Sequence, residues 1–135
     1  MSEEGIEAFK RAEAAFARRD LDALLAEYDP EIEWYPGMAA LLAGETMVYR
    51  GHDGIRQLVH DMDDAFSVVE LEFDEYRDLG DRVLGIGKIR TRGRASDIET
   101  VSPVAYLVDR KDGKAVRVRT YMDVEEAIEA ASSSA

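Results

Sequence analysis

The chain has 135 residues, 46% hydrophobic and 34% charged, enough apolar material for one buried core and too much for a disordered segment. Its 29 acidic against 17 basic residues give a formal charge of −12, which repels polyphosphate backbones and argues against nucleic acid as a partner. Cysteine is absent, which excludes disulfide frameworks, thiolate nucleophiles and Cys-based zinc or iron–sulfur sites.

The opening Met-Ser-Glu-Glu-Gly lacks the cationic start and apolar run of a secretory signal. No apolar stretch reaches the ~18 residues of a membrane helix, so a cytoplasmic protein with no membrane partner is expected. No repeat, linker or low-complexity tract interrupts the chain, which reads as one domain over residues 1–131 with a frayed tail at 132–135.

Ile6, Phe9 and Phe16, with Ala8, Ala12 and Ala15 alongside, predict an amphipathic helix over 3–18. Asp20 stands at an N-cap position before Leu21, Leu24, Leu25 and Tyr28, predicting a second short helix ended by Asp29-Pro30. Ile32-Glu33-Trp34-Tyr35 has strand composition, and Pro36-Gly37 breaks it before a Gly-punctuated apolar stretch from Met38 to Met47, a candidate lid or pocket wall. Ile55, Leu58, Val59, Met62 and Phe66 then form one helical stripe, with Asp53 favouring its N-terminus. Val69, Leu71 and Phe73 alternate with Glu70, Glu72 and Asp74, and Leu79-Gly80-Asp81 turns the chain into a second strand from Arg82 to Arg94. A strand over 98–109, a turn at Arg110-Lys111-Asp112-Gly113 and a strand over 115–122 follow, with Val116, Val118, Thr120 and Met122 on one face. Residues 124–131 are helical by propensity. This order implies an α+β fold: a curved, mostly antiparallel sheet with helices on one face and a cavity wherever the helices fail to fill its concavity.

Four segments carry a resemblance: Asp20-Leu-Asp-Ala-Leu, Asp29-Pro-Glu-Ile-Glu-Trp34, Tyr49-Arg-Gly-His-Asp-Gly-Ile55, and the run from Asp112 through Tyr121-Met-Asp123. In order and spacing they resemble the SnoaL-like branch of the nuclear transport factor 2-like superfamily. That resemblance implies a cone-shaped α+β barrel, commonly a homodimer, whose pocket takes small molecules and hosts isomerases, cyclases, epoxide hydrolases and dehydratases. A shared fold does not choose among them. The ketosteroid isomerase-like pattern does not transfer, because its base position falls on Tyr35, its first-helix donor on Ala12 and its acid near Val104. The limonene epoxide hydrolase-like Arg-x-Asp pair occurs only as Arg18 with Asp20 and Arg110 with Asp112, both in predicted turns.

The resemblance to SnoaL-like polyketide cyclases makes Asp123 the nearest match to their acid/base residue. Asp123-Val-Glu-Glu126 is equally a capping box for the last helix, and strand alternation sets Tyr121 and Asp123 opposite Val118 and Thr120. The catalytic candidates are therefore Asp123, Tyr121 and Tyr35, and the ligand-binding candidates are Trp34, Met38, Met62, Phe66 and Tyr106. Trp34 and Tyr35 point to opposite sides of one strand, so at most one of them faces a cavity. No cofactor and no metal is implied: His60 and Asp64 have i, i+4 spacing, but they belong to an acidic helix face that solvation explains. Lys88, Arg90, Arg92 and Arg94 share one strand face, where Glu70, Glu72 and Asp74 are expected to answer them across a hairpin. Two readings follow. One is a cofactor-independent proton-transfer enzyme acting on a small apolar carbonyl compound; the other is a non-catalytic dimeric binding or interaction module.

Overall fold

In the computed structural model, residues 3–37 and 48–133 are described. The expected lid or pocket wall at 38–47, with Met38, lies outside the described residues. The elements run α1 (Glu3–Arg18), α2 (Leu21–Ala26), β1 (Tyr28–Tyr35), β2 (Tyr49–Arg50), α3 (Gly51–Ala65), β3 (Phe66–Asp78), β4 (Arg82–Gly93), β5 (Glu99–Lys111), β6 (Lys114–Tyr121) and α4 (Val124–Ser132). No described helix is long and apolar enough to cross a membrane.

The six strands among the described residues form one curved, unclosed sheet in the order β2-β1-β6-β5-β4-β3. Every pairing is antiparallel except β1 with β6. Long hairpins therefore build one half of the sheet, and β1, which arrives from the helical layer, completes the other. Asp112 and Gly113 close the β5–β6 hairpin with φ of 54° and 80°, the left-handed pair that matches the twist of the flanking strands. Bulges between Phe73 and Glu75 and between Asp109 and Arg110 bend their strands.

The second bulge changes which side chains of β6 face inward. Asp109 pairs with Arg117 and Arg110 with Ala115, so Val116 is the extra residue. Ala115 and Val118 consequently share the helix-covered face, where simple alternation predicts Val116 with Val118. Two helix boundaries also move. Tyr28 opens β1 instead of closing α2, because Glu27 ends that helix and Pro30 is accommodated within the strand. Phe66 opens β3 instead of extending the stripe of α3, its backbone already extended at φ −129° and ψ 137°.

α1, α2 and α3 cover one face of the sheet; Ile32, Val83 and Val118 are almost wholly buried beneath them, and Ile55 of α3 is buried against that face. The expectation of helices on a single face needs one correction. α4 lies on the other face, where alternation along β4 and β5 leaves Leu84, Ala105 and Leu107 to be covered, and Ala127 seals them. The expected charge ladder forms: Lys88 meets Glu72 at 3.1 Å and Arg90 bonds Glu70, while Arg90 and Arg92 reach Glu99 at 3.1 and 3.0 Å. Asp74 is the extra residue of the Phe73–Glu75 bulge, and Arg94 instead donates to the Asp63 carbonyl at 2.6 Å. The strip of basic residues is thus spent within the fold.

Candidate functional site

A cavity of about 70 Å³ lies between the helical layer and the sheet. Its origin is legible in side-chain size. α1 turns Gly5, Ala8 and Ala12 toward the sheet, and Ala115 answers from β6, so the facing backbones stand apart with too little side chain between them. Larger residues frame the gap: Phe9 and Phe16 from α1, Ile55, Leu58, Val59 and Met62 from α3, and Leu71 and Phe73 from β3.

Aromatic rings form the floor. Trp34 packs edge-on against Tyr106 with centroids 5.4 Å apart and lies 6.1 Å from Tyr28. Phe73 stands 5.1 Å from Tyr106 and 4.9 Å from Phe9, both edge-to-face, the arrangement in which ring edges meet ring faces favourably. Tyr28 and Tyr106 both line the cavity, and neither hydroxyl has a hydrogen-bond partner among the described residues. Burial pushes both phenols well above the ordinary tyrosine range, and Tyr106 raises Tyr28 further. Both therefore stay protonated donors in neutral solution.

Three charged residues border this apolar space. Glu13 accepts from the Tyr76 hydroxyl at 2.8 Å, and Glu27 is held by Arg11 at 2.9 Å. Arg110 follows Tyr106 and Val108 along the inner face of β5, with its side chain only 10% exposed. Among the described residues no group of histidines or carboxylates could hold a metal ion. His60 is exposed, and His52 Nε2 lies 3.0 Å from the Tyr28 carbonyl, tying the start of α3 to β1.

The model of the SnoaL-like domain matches residues 9–118. The chain belongs to the SnoaL-like family. Its fold is shared with an NTF2-like protein of unknown function from Burkholderia pseudomallei K96243, 21% identical, with a TM-score of 0.81 over 96% of this chain and 98% of that one. It also matches TerC, co-crystallised with polyporic acid, at 24% identity and a TM-score of 0.79 over 96% of this chain and 99% of that one. A protein from Xanthomonas campestris pv. campestris, provisionally assigned as a polyketide cyclase, is 19% identical with a TM-score of 0.75 over 96% and 98% of the two chains. No curated protein sequence matches. At these identities the structural likeness speaks for the fold alone.

Within this SnoaL-like fold the structure distributes the sequence candidates unevenly. Trp34, Met62 and Tyr106 line the cavity. Phe66 packs against the core without lining it, a consequence of starting β3 rather than ending α3. Tyr35 takes the opposite side of β1 from Trp34 and donates to Glu33 at 3.0 Å, which together with Arg50 lowers the Glu33 carboxyl. Tyr121 packs in the second cluster near α4. Asp123 is exposed and caps α4, accepting from the backbone amides of Glu125 at 3.0 Å and Glu126 at 3.4 Å. That is the capping alternative, and it leaves the carboxylate outside the cavity, with neither desolvation nor a guest to act on.

Sequence reasoning missed Tyr28, Glu13 and Arg110. Tyr28 was hidden by the misplaced end of α2. Glu13 had a usable signal, since it follows Phe9 by four residues and precedes Phe16 by three, placing a carboxylate beside the inner stripe of α1. Arg110 had one too, in the period-two run Tyr106, Val108, Arg110, but it was assigned to the turn.

Proposed function

We propose that this protein binds a small, largely apolar molecule bearing a carbonyl or similar oxygen in the cavity between its helices and sheet. One observation carries this reading: two cavity-lining tyrosines, Tyr28 and Tyr106, have hydroxyls without a hydrogen-bond partner among the described residues, in a wall that is mostly apolar and aromatic. Buried tyrosine hydroxyls ordinarily find acceptors, and an oxygen on a guest supplies what the fold withholds. The guest is compact: a cavity of roughly 150 Å³ holds benzene, this one is about 70 Å³, and a molecule of about six heavy atoms enters only as the wall yields. Met62, on the wall, is the side chain best able to yield to something larger. Family likeness supports a homodimer as the working assembly, which sedimentation can check.

Trp34 is the chain's single tryptophan and lines the cavity, so its fluorescence reports occupancy. Titration with cyclopentanone is expected to change that emission saturably, and Ala12→Phe, which fills the space, is expected to abolish the response. A wild-type signal that never saturates, or one that survives Ala12→Phe, refutes the reading.

Proton transfer is the second reading, and Glu13 is the observation that favours it. Its carboxylate reaches the cavity wall with a phenol as hydrogen-bond partner and, among the described residues, no cation paired to it, as a base acting beside a polarised carbonyl requires. Exchange of the ketone's α-protons in heavy water, followed by NMR, tests it. Catalysed exchange that is lost in Glu13→Gln while binding persists makes the protein an enzyme. No exchange above buffer leaves binding alone.

A further inference from the structure

Among the described residues Arg110 is the one cation that lines the cavity, and most other enclosed arginines lie closer to a carboxylate. Arg19 meets Asp63 at 2.8 Å, and Arg82 and Arg117 meet Asp109 at 3.2 and 2.6 Å; Arg119 stands 3.6 Å from the same Asp109, away from the cavity. The Arg110 side chain is nine-tenths buried, yet its guanidinium makes no side-chain hydrogen bond among the described residues. Its nearest carboxylate is Glu4, at 3.9 Å and 61% exposed. Asp78 also faces this corner. A Cβ built on Gly5 would lie 3.6 Å from both Arg110 Cδ and Asp78 Oδ2, but no ion pair joins the two residues.

A guanidinium carries five donors in a planar fork that matches a carboxylate, and removing it from water without a close counter-ion is costly. The stem of Arg110 lies against the first turn of α1, whose aligned amides also favour negative charge. We propose that the guest is a small organic acid whose carboxylate pairs with Arg110 at this corner while its apolar body lies on the Trp34–Tyr106 floor. The inference rests on the cavity being a binding site, as proposed above. An exposed Glu4 at 3.9 Å is a weak competitor, held in high dielectric and easily displaced by a better-placed carboxylate.

The test uses isobutyrate and isobutyramide, which have the same shape and differ by one charge, with Trp34 emission as the readout. The wild-type protein is expected to bind the acid about 10-fold more tightly than the amide, the size of one charge-assisted contact. Arg110→Met is expected to remove that preference while leaving amide binding within about 2-fold, since the amide's contacts are apolar. Glu4→Gln, an exposed and structurally mild change, is expected to tighten acid binding by about 2-fold or more through loss of the competing carboxylate. Equal binding of acid and amide, a preference that persists in Arg110→Met, or weaker acid binding in Glu4→Gln overturns the inference and leaves Arg110 a distant partner of Glu4 only. If amide binds and acid does not, the cavity reading survives and this one falls. If neither binds, both fall.

Discussion

Two glycines on β4 separate a tight contact that can relax from one that cannot. A Cβ on Gly85 would sit 2.4 Å from Phe9 Cζ and within 3.0 Å of both Cε atoms, so the ring presses end-on against the strand. A Cβ on Gly87 would sit 2.0 Å from the Glu72 carbonyl oxygen and 2.6 Å from Phe73 Cα, where only backbone is available to move. Gly85→Ala forces Phe9 away from its edge contacts with Phe73 and Tyr76 at 4.9 and 5.5 Å, and the open direction is into the cavity. Overpacking of this kind costs about 1–3 kcal/mol. Replacing a strand glycine recovers about 0.5–1 kcal/mol of chain entropy, so the net loss is expected near 1–2 kcal/mol. Gly87→Ala must separate β3 from β4 beside the Phe73–Glu75 bulge and is expected to cost about 3 kcal/mol or more. Urea denaturation followed by Trp34 emission and far-ultraviolet dichroism measures both. Phe9→Leu, which withdraws the ring end, is expected to rescue Gly85→Ala by about 1 kcal/mol in a double-mutant cycle and to do nothing for Gly87→Ala. A Gly85→Ala protein as stable as wild type, or equal rescue of both variants by Phe9→Leu, would show that the ring does not bear on the strand as described.

Other perturbations report on separate parts of the molecule. Asp123→Asn is expected to leave stability within a few tenths of a kcal/mol, and Asp123→Ala to cost about 1 kcal/mol, with Trp34-reported binding unchanged in both; loss of binding in Asp123→Asn would return this residue to the site. Asp109 sits among Arg82, Arg117 and Arg119 at 3.2, 2.6 and 3.6 Å, so Asp109→Ala strands their charges and is expected to cost about 3–5 kcal/mol by urea melts. A loss under 1 kcal/mol would mean those arginines have other counter-ions. Tyr28→Phe and Tyr106→Phe remove hydroxyls that have no partner among the described residues, so stability is expected to hold or rise while cyclopentanone affinity falls by about 5-fold for each. Retained affinity in the double variant would deny the phenols their role. In alkali, burial holds the Tyr49 phenol up at about 12, with its bond to Asp61 adding to the effect, and Tyr28, Tyr76 and Tyr106 are also raised. The native state keeps protons that the unfolded chain releases above its value near 10, so stability is complete below pH 10 and is lost as pH rises through the native values, each group removing about 1.4 kcal/mol per pH unit. Phenolate absorbance should appear together with unfolding; full titration at constant dichroism would contradict it.

The residue pattern by itself determined the elements and their faces. Periodicity of 3.6 set α1 and α3, alternation set β3, β4 and β5, and Asp-Gly at 112–113 set the last hairpin, because each depends only on neighbours in the chain. The family segments carried the fold, and the opposing charges of β3 and β4 were legible since a tight hairpin leaves little choice of register. Tertiary structure alone decided the site. The bulge at Val116 brought Ala115 to the inner face, the small residues of α1 left the gap, and two chain-distant strands, β1 and β5, placed Tyr28 and Trp34 with Tyr106 on one floor. Asp123 shows the limit most clearly: cap and acid are compatible with the same four letters, and only the direction in which α4 leaves the sheet assigns the carboxylate to backbone amides. A cavity is a deficit of side-chain volume between elements far apart in sequence, which no local pattern encodes.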